Sequence, residues 1–126
     1  MKHKTIPKKV RELIYKKYDG HCAYCGCELK YKDMQVDHIN SVYRAVIMHE
    51  NVDENISNYI PSCRQCNFYK STFTLENFRE RLSDTLIKNL QKNFNYKLAL
   101  KYGLITENVK PVEFYFERIE KKEVRL

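Results

Sequence analysis

Cys22-Ala-Tyr-Cys25 and Cys63-Arg-Gln-Cys66 are two CxxC pairs with 37 residues between them. Nothing else in this chain limits its folds so sharply. A CxxC turn sets two thiolates where a tetrahedral ion needs two of its ligands, and two such turns close a four-thiolate site. Thiolate is a soft donor, which suits Zn2+, an ion without redox chemistry of its own. Four protein ligands leave no open coordination position, so the expected zinc is structural, with Zn–S distances of about 2.3 Å. Its task is to clip residues 22–25 to residues 63–66 and to add folding free energy that a small core lacks. Disulfides are the competing reading, but they belong to oxidising compartments. The start, Met-Lys-His-Lys-Thr-Ile-Pro-Lys-Lys, has no apolar stretch behind its charges and is no secretory signal. A redox CxxC usually stands alone near a βαβ pattern, and neither condition holds. Cys27 is left over, as a spare thiol or an alternate ligand.

The chain has 126 residues, one domain's worth with a short appendage. No apolar run approaches the roughly 20 residues that span a bilayer, and the composition is that of a folded, basic, cytoplasmic protein. The formal net charge is +7, and nucleic acid is the default partner for such a balance. The charge is unevenly distributed. Residues 1–18 hold Lys2, Lys4, Lys8, Lys9, Arg11, Lys16 and Lys17 against Glu12 alone, a net +6, whereas residues 28–62 carry −3. A basic, acidic, basic order suits a protein whose middle holds a cation while its flanks hold phosphates.

Pro7 opens a helical pattern through Val10, Leu13, Ile14 and Tyr18, which Asp19-Gly20 stops. Met34–Ile39 and Asn58–Pro61 read as short strands, the latter closed by Pro61, and 63–70 reads as a helix. Residues 40–57 read mostly as loop, with a helical turn or two over 42–48. Thr74 is the expected N-cap of a long helix, with Phe78, Leu82, Leu86 and Leu90 at four-residue spacing. The helical pattern resumes through Phe94 and Leu98 and stops at Gly103. Val112, Phe114 and Phe116 alternate with Glu113, Tyr115 and Glu117, the period of a half-buried strand. The six apolar positions from Phe78 to Leu98 need burial, so this tail is expected to complete the core.

Between the clips, Asp37-His38 ends the first strand and Asn58 opens the second. Asn67 follows Cys66, and Lys70 lies one helical turn further on. Zinc would bring Asn67 back beside Asp37-His38, gathering an imidazole, a carboxylate and an amide oxygen. Such a set can hold one hard divalent cation and place a base beside it.

The order CxxC, Val-Asp-His-Ile, Asn-Tyr-Ile-Pro-Ser-Cys-Arg-Gln-Cys-Asn and then Lys resembles the HNH endonucleases, in their zinc-clipped, four-cysteine form. The resemblance covers about residues 9–80. It implies an α+β fold with the ββα-metal (His-Me finger) core; the periodicity adds an N-terminal helix and a C-terminal helical tail ending in a strand, which beyond about residue 80 lies outside the shared core. It further implies that His38 is the general base, that Asp37 and Asn67 bind the catalytic metal, and that Asn58 orients the site; Asn55 is a rival to Asn58 at the wrong spacing. The signature thus reads His-Asn-Asn, a familiar variant of His-Asn-His. The loop lacks the glycine pair often seen there and carries His49, whose role the resemblance leaves open. The implied reaction is hydrolysis of a phosphodiester in double-stranded DNA to 5′-phosphate and 3′-hydroxyl ends.

A neutral imidazole can take a proton from water near neutral pH. Mg2+ or Mn2+ with two protein oxygen ligands binds firmly only when substrate completes the shell. Lys70 and Arg64 are candidate phosphate ligands beside the site, and Lys8 and Lys9 belong to the N-terminal phosphate clamp. The expected division is a nuclease domain over 1–80 and a helical and strand extension over 81–126 packed on it. One active site cuts one strand, so a double-strand cut calls for a homodimer or a second event. The alternative function is a non-catalytic, zinc-clipped DNA-binding module; a protein-interaction module built on 112–126 is a weaker third.

Overall fold

A computed structural model of the chain describes residues 5–40 and 55–124. Lys2, His3, Lys4, the helical turns expected over 42–48, and His49 lie outside the described residues. The chain divides into two compact units, 1–75 with 113–126, and 76–112. The expected boundary at residue 80 is thus drawn elsewhere, with 113–126 assigned to the first unit.

In that first unit, α1 (Lys8–Lys16) begins directly after Pro7, whose missing donor costs nothing at a helix start. Ile14 and Tyr18 are buried, as their spacing predicts, whereas Leu13 is 58% exposed and leaves the apolar stripe narrower than expected. Asp19 and Gly20 both take positive φ and end the helix. A Cβ on Gly20 would lie 2.9 Å from the Tyr15 hydroxyl, so space and backbone both ask for glycine.

Strands β1 (Gln35–His38) and β2 (Tyr59–Ser62) pair antiparallel, with Val36 opposite Pro61, Asp37 opposite Ile60 and His38 opposite Tyr59. The second strand begins one residue later than expected, because Asn58 closes a 3-10 turn over Ile56–Asn58. Pro61 lies inside β2 rather than ending it. A two-stranded sheet has only edges, where a residue without an N–H is tolerated. The Pro61 carbonyl accepts from the Ala23 N–H at 2.9 Å, laying the first cysteine turn against the strand. Ile14, Met34 and Tyr59 form the core, with Ile6, Val10, Tyr15, Leu29 and Val36 packed around them. Helix α2 (Arg64–Lys70) follows β2 at once. This gives the mixed architecture expected from the sequence, a small antiparallel sheet with a helix carrying the second cysteine pair.

The expected strand over 112–117 is instead the approach to helix α6 (Tyr115–Val124). Alternation of Phe114 and Phe116 misleads because both rings are buried beside Tyr24 from a helix start. The helix wins because its first donors have partners. Tyr115 N–H donates to the Tyr24 carbonyl (3.0 Å), Phe116 N–H donates to Ala23 (2.8 Å), and the Glu117 carboxylate accepts from Phe114 N–H, half of a capping box.

The second unit is helical. A π-helical segment, Arg81–Leu86, joins α3 (Leu75–Glu80) to α4 (Ile87–Lys92), and α5 (Phe94–Lys101) follows after Asn93, whose side chain accepts from Tyr96 N–H. The stop at Gly103 occurs as expected. Gly103 N–H bonds to Leu100 and Leu104 N–H to Ala99, with φ of +69° at the glycine. Phe78 is buried, but Leu86, Leu90, Leu98 and above all Phe94 (74%) are exposed, which corrects the expectation that all six spaced apolar residues go inside. No helix among the described residues is long and apolar enough to cross a membrane.

Candidate functional site

The Sγ atoms of Cys22, Cys25, Cys63 and Cys66 all lie within 4.8 Å of one another, with Cys25 and Cys63 3.9 Å apart. Sulfurs at the corners of a tetrahedron with arms of about 2.3 Å stand just under 4 Å apart, so this cluster fits zinc. Local chain geometry makes it. Gly26 at φ +83° turns the first knuckle, and its N–H bonds back to the Cys22 carbonyl at 2.9 Å. Cys63 precedes α2 as its N-cap, and its sulfur accepts from Cys66 N–H at 3.4 Å. Crowding shows in the thiol acidities. The Cys66–Cys22 hydrogen bond pushes Cys22 down to about 4 and Cys66 well up. A soft dication held by Cys22, Cys25, Cys63 and Cys66 would remove that conflict by taking all four as thiolates. Cys27 is exposed and stands outside the four; desolvation and the adjacent Cys25 thiol push it up to about 12.

The second cluster is built on β1 and α2. Residues 35 and 37 share one face of the strand, and each takes a rung from the helix. Asn67 donates through Nδ2 to Gln35 Oε1 (2.7 Å), leaving its carbonyl oxygen as the ligand-capable end. One turn on, Lys70 Nζ stands 3.0 Å from Asp37 Oδ2 and also donates to the His38 carbonyl at 3.1 Å. Asp37 is buried and Lys70 is 0% exposed. The same Oδ2 accepts from the Tyr24 hydroxyl at 2.5 Å. Burial, with Asp37 beside it, pushes the Tyr24 hydroxyl well above its usual range, so it keeps its proton and donates.

His38 is also buried, and its imidazole meets Tyr59 edge-on, with centroids 4.9 Å apart. Asn58, nearly fully buried, fixes the chain just beyond. Its Oδ1 accepts from Asn40 N–H (2.7 Å), its Nδ2 donates to the Asn40 carbonyl (3.1 Å), and its own carbonyl accepts from Ile39 N–H (2.9 Å). Three hydrogen bonds from one residue therefore set the path of the chain leaving His38.

Among the basic residues expected to meet phosphate, Lys8, Lys9 and Arg64 are exposed. Lys70 is an internal cation, not a surface one. Arg11 is committed inside the protein, donating to the Tyr31 and Met34 carbonyls and stacking on the Tyr31 ring at 5.1 Å. Lys17 donates to the Tyr59 carbonyl at 3.3 Å.

Two residues of the site carry little signal in the sequence. Tyr24 reads as packing between two cysteines; it does pack on Phe114 and Phe116, but its hydroxyl reaches across to Asp37. Gln35 has one usable signal, its position two residues before Asp37, which on a strand means the same face.

Residues 22–73 match the family model for HNH endonucleases. Among solved structures the fold is similar to the Type II-C Cas9 enzyme from Actinomyces naeslundii, with a TM-score of 0.52 and 19% identity over 80% of this chain. The chain spans 11% of that enzyme's length. No curated protein matches it. The resemblance carried by the cysteine pairs and the Asp-His, Asn and Asn positions is thus borne out over 22–73.

Proposed function

We propose that residues 22–73, matched as an HNH endonuclease domain, make this chain a metal-dependent endonuclease that hydrolyses phosphodiester bonds in double-stranded DNA. The reading is supported by the family match over 22–73 together with the order of the parts: Asp37-His38 at the end of β1, Asn58 just before β2, and Asn67 on α2 bonded to Gln35 two residues before Asp37, with the four thiols gathered at the start of that helix. His38 takes the proton from the attacking water. Asn58 holds the His38–Asn40 segment so that the imidazole keeps its aim. Asp37 and Asn67 are the oxygen donors for Mg2+ or Mn2+; when bound, that ion supplies charge neutralisation at the phosphate and at the departing 3′-oxygen. The donor set suits a hard cation, one carboxylate and one amide carbonyl, with substrate needed to complete it. Zinc at Cys22, Cys25, Cys63 and Cys66 is structural. Exposed Lys8, Lys9 and Arg64 hold phosphates, and Lys70 reaches one only after its pair with Asp37 opens. Residues 1–80 carry this chemistry. A single copy nicks; a paired copy or a second event severs both strands.

Conversion of supercoiled plasmid to nicked or linear form by the zinc-loaded chain, in Mg2+ or Mn2+ and abolished by chelator, is the expected result. DNA retained on the protein without cleavage in either ion would overturn the nuclease and leave the non-catalytic DNA-binding module.

A further inference from the structure

A lysine without any exposed surface survives only where its charge is met, and Lys70 is met by the carboxylate assigned to the catalytic cation. Oδ2 of Asp37 already serves both the Lys70 ammonium at 3.0 Å and the Tyr24 hydroxyl. A dication beside that oxygen would face the ammonium at a few ångströms in a site shielded from water, where like charges repel strongly. A cation on Oδ2 would displace the ammonium, and one on the carboxylate's other oxygen would still meet that ammonium across the same group, so the two oppose one another. We infer that Lys70 is a built-in counter-ion for Asp37 that competes with the divalent cation, so that a bound ion and the ammonium each weaken the other's hold on the carboxylate. The inference rests on the reading of Asp37 as a metal ligand given above.

The geometry supplies the exchange. Lys70 has a second anchor, the His38 carbonyl at 3.1 Å, so its ammonium can swing off Oδ2 without losing every partner. Tyr24 stays, because a neutral donor does not oppose a cation. Asp37 is thus kept neutralised and in place while no ion is bound, and the displaced ammonium becomes available to a phosphate. Metal affinity without DNA is accordingly held down by the protein itself, beyond what a two-ligand site would show.

Lys70→Met keeps the volume and removes the competitor. In the zinc-loaded full chain, Mn2+ affinity measured by electron paramagnetic resonance without DNA should rise at least tenfold over the parent, and Mn2+ should raise the melting temperature of the variant far more than that of the parent. Unchanged or weaker affinity overturns the inference. So does tight Mn2+ binding that persists in Lys70→Met combined with Asp37→Asn, because the ion would then sit elsewhere. Zinc outranks Mn2+ for thiolates, so the cysteine site does not supply the signal. Should Lys70→Met fail to fold, the parent labelled with 15N-lysine decides: Mg2+ should shift the buried ammonium resonance, and a resonance unmoved at saturating Mg2+ overturns the exchange. Plasmid cleavage by the parent separates the two ideas. Cleavage with unchanged Lys70→Met affinity sinks only the counter-ion, whereas tightened affinity without cleavage sinks only the nuclease.

Discussion

Helix α2 carries two donor sets at its two ends, and they are built on opposite principles. At its start, Cys63 and Cys66 meet Cys22 and Cys25 in a ring of soft donors that fills every position around an ion. Further along, Asn67 and Lys70 face Gln35 and Asp37 in a set of hard donors partly engaged with one another. On the proposed reading the first set would gain from an ion, which would let all four crowded thiols ionise. The second is at rest without one, since a buried carboxylate there has its own ammonium. On the proposed reading a permanent clip and an exchangeable site would share one short helix, each asking for a different ion.

That contrast can be broken from either end. Cys63→Ser should have the largest effect, with loss of zinc by metal analysis, unfolding of the first unit by loss of chemical-shift dispersion, and no cleavage. A soluble, zinc-free, active variant would refute the structural role of the clip. His38→Ala should leave zinc content, folding and DNA binding intact while lowering cleavage by about 10²- to 10⁴-fold, the usual range for a general base; parental cleavage rates in this variant would sink the mechanism. Changing Lys8, Lys9 and Lys16 to alanine should touch neither donor set. DNA affinity should fall on any sequence, and the slope of its logarithm against the logarithm of salt should lessen by about 0.9 for each phosphate the protein no longer neutralises. An unchanged slope would mean that α1 does not face DNA. Lys17 is left out because its bond to Tyr59 would confuse the result. Tyr24→Phe should be mildest, costing about 2 kcal/mol in denaturant unfolding through removal of the hydrogen bond to Asp37, with zinc retained. Loss of zinc from this variant would show that the two sets are not separable.

How much of the molecule is legible in its sequence depends on the physics of each part. Thiol clusters are readable because few residue types hold a soft ion and their spacing is fixed by short turns; hence all four cysteines stand out, and the Asp-His pair stands out through its place between them. The helices at 8–16 and 64–70 follow from periodicity and stop signals. Tyr24 and Gln35 stay hidden because a hydroxyl or an amide gains its role from what lies opposite, and that is set only after the sheet pairs. Lys70 reads as a surface cation for the same reason: its charge says nothing about burial until Asp37 is known to sit across from it. The alternation at 112–117 misleads because two buried aromatics two positions apart fit a helix entrance as well as a strand. The spaced leucines of 82–98 mislead because spacing shows which residues share a face, not whether anything covers it.

The bonds that seat α6 also set an order of assembly. The carbonyls of Ala23 and Tyr24 accept from Phe116 and Tyr115, partners 93 and 91 residues later in the chain. A ribosome adding about 5–20 residues per second needs roughly 5–19 seconds to cover that distance. The first cysteine turn is therefore made well before the segment that packs behind it. Throughout that interval the Tyr24 ring lacks Phe114 and Phe116, so the residue that reaches across to Asp37 is among the last to gain its cover.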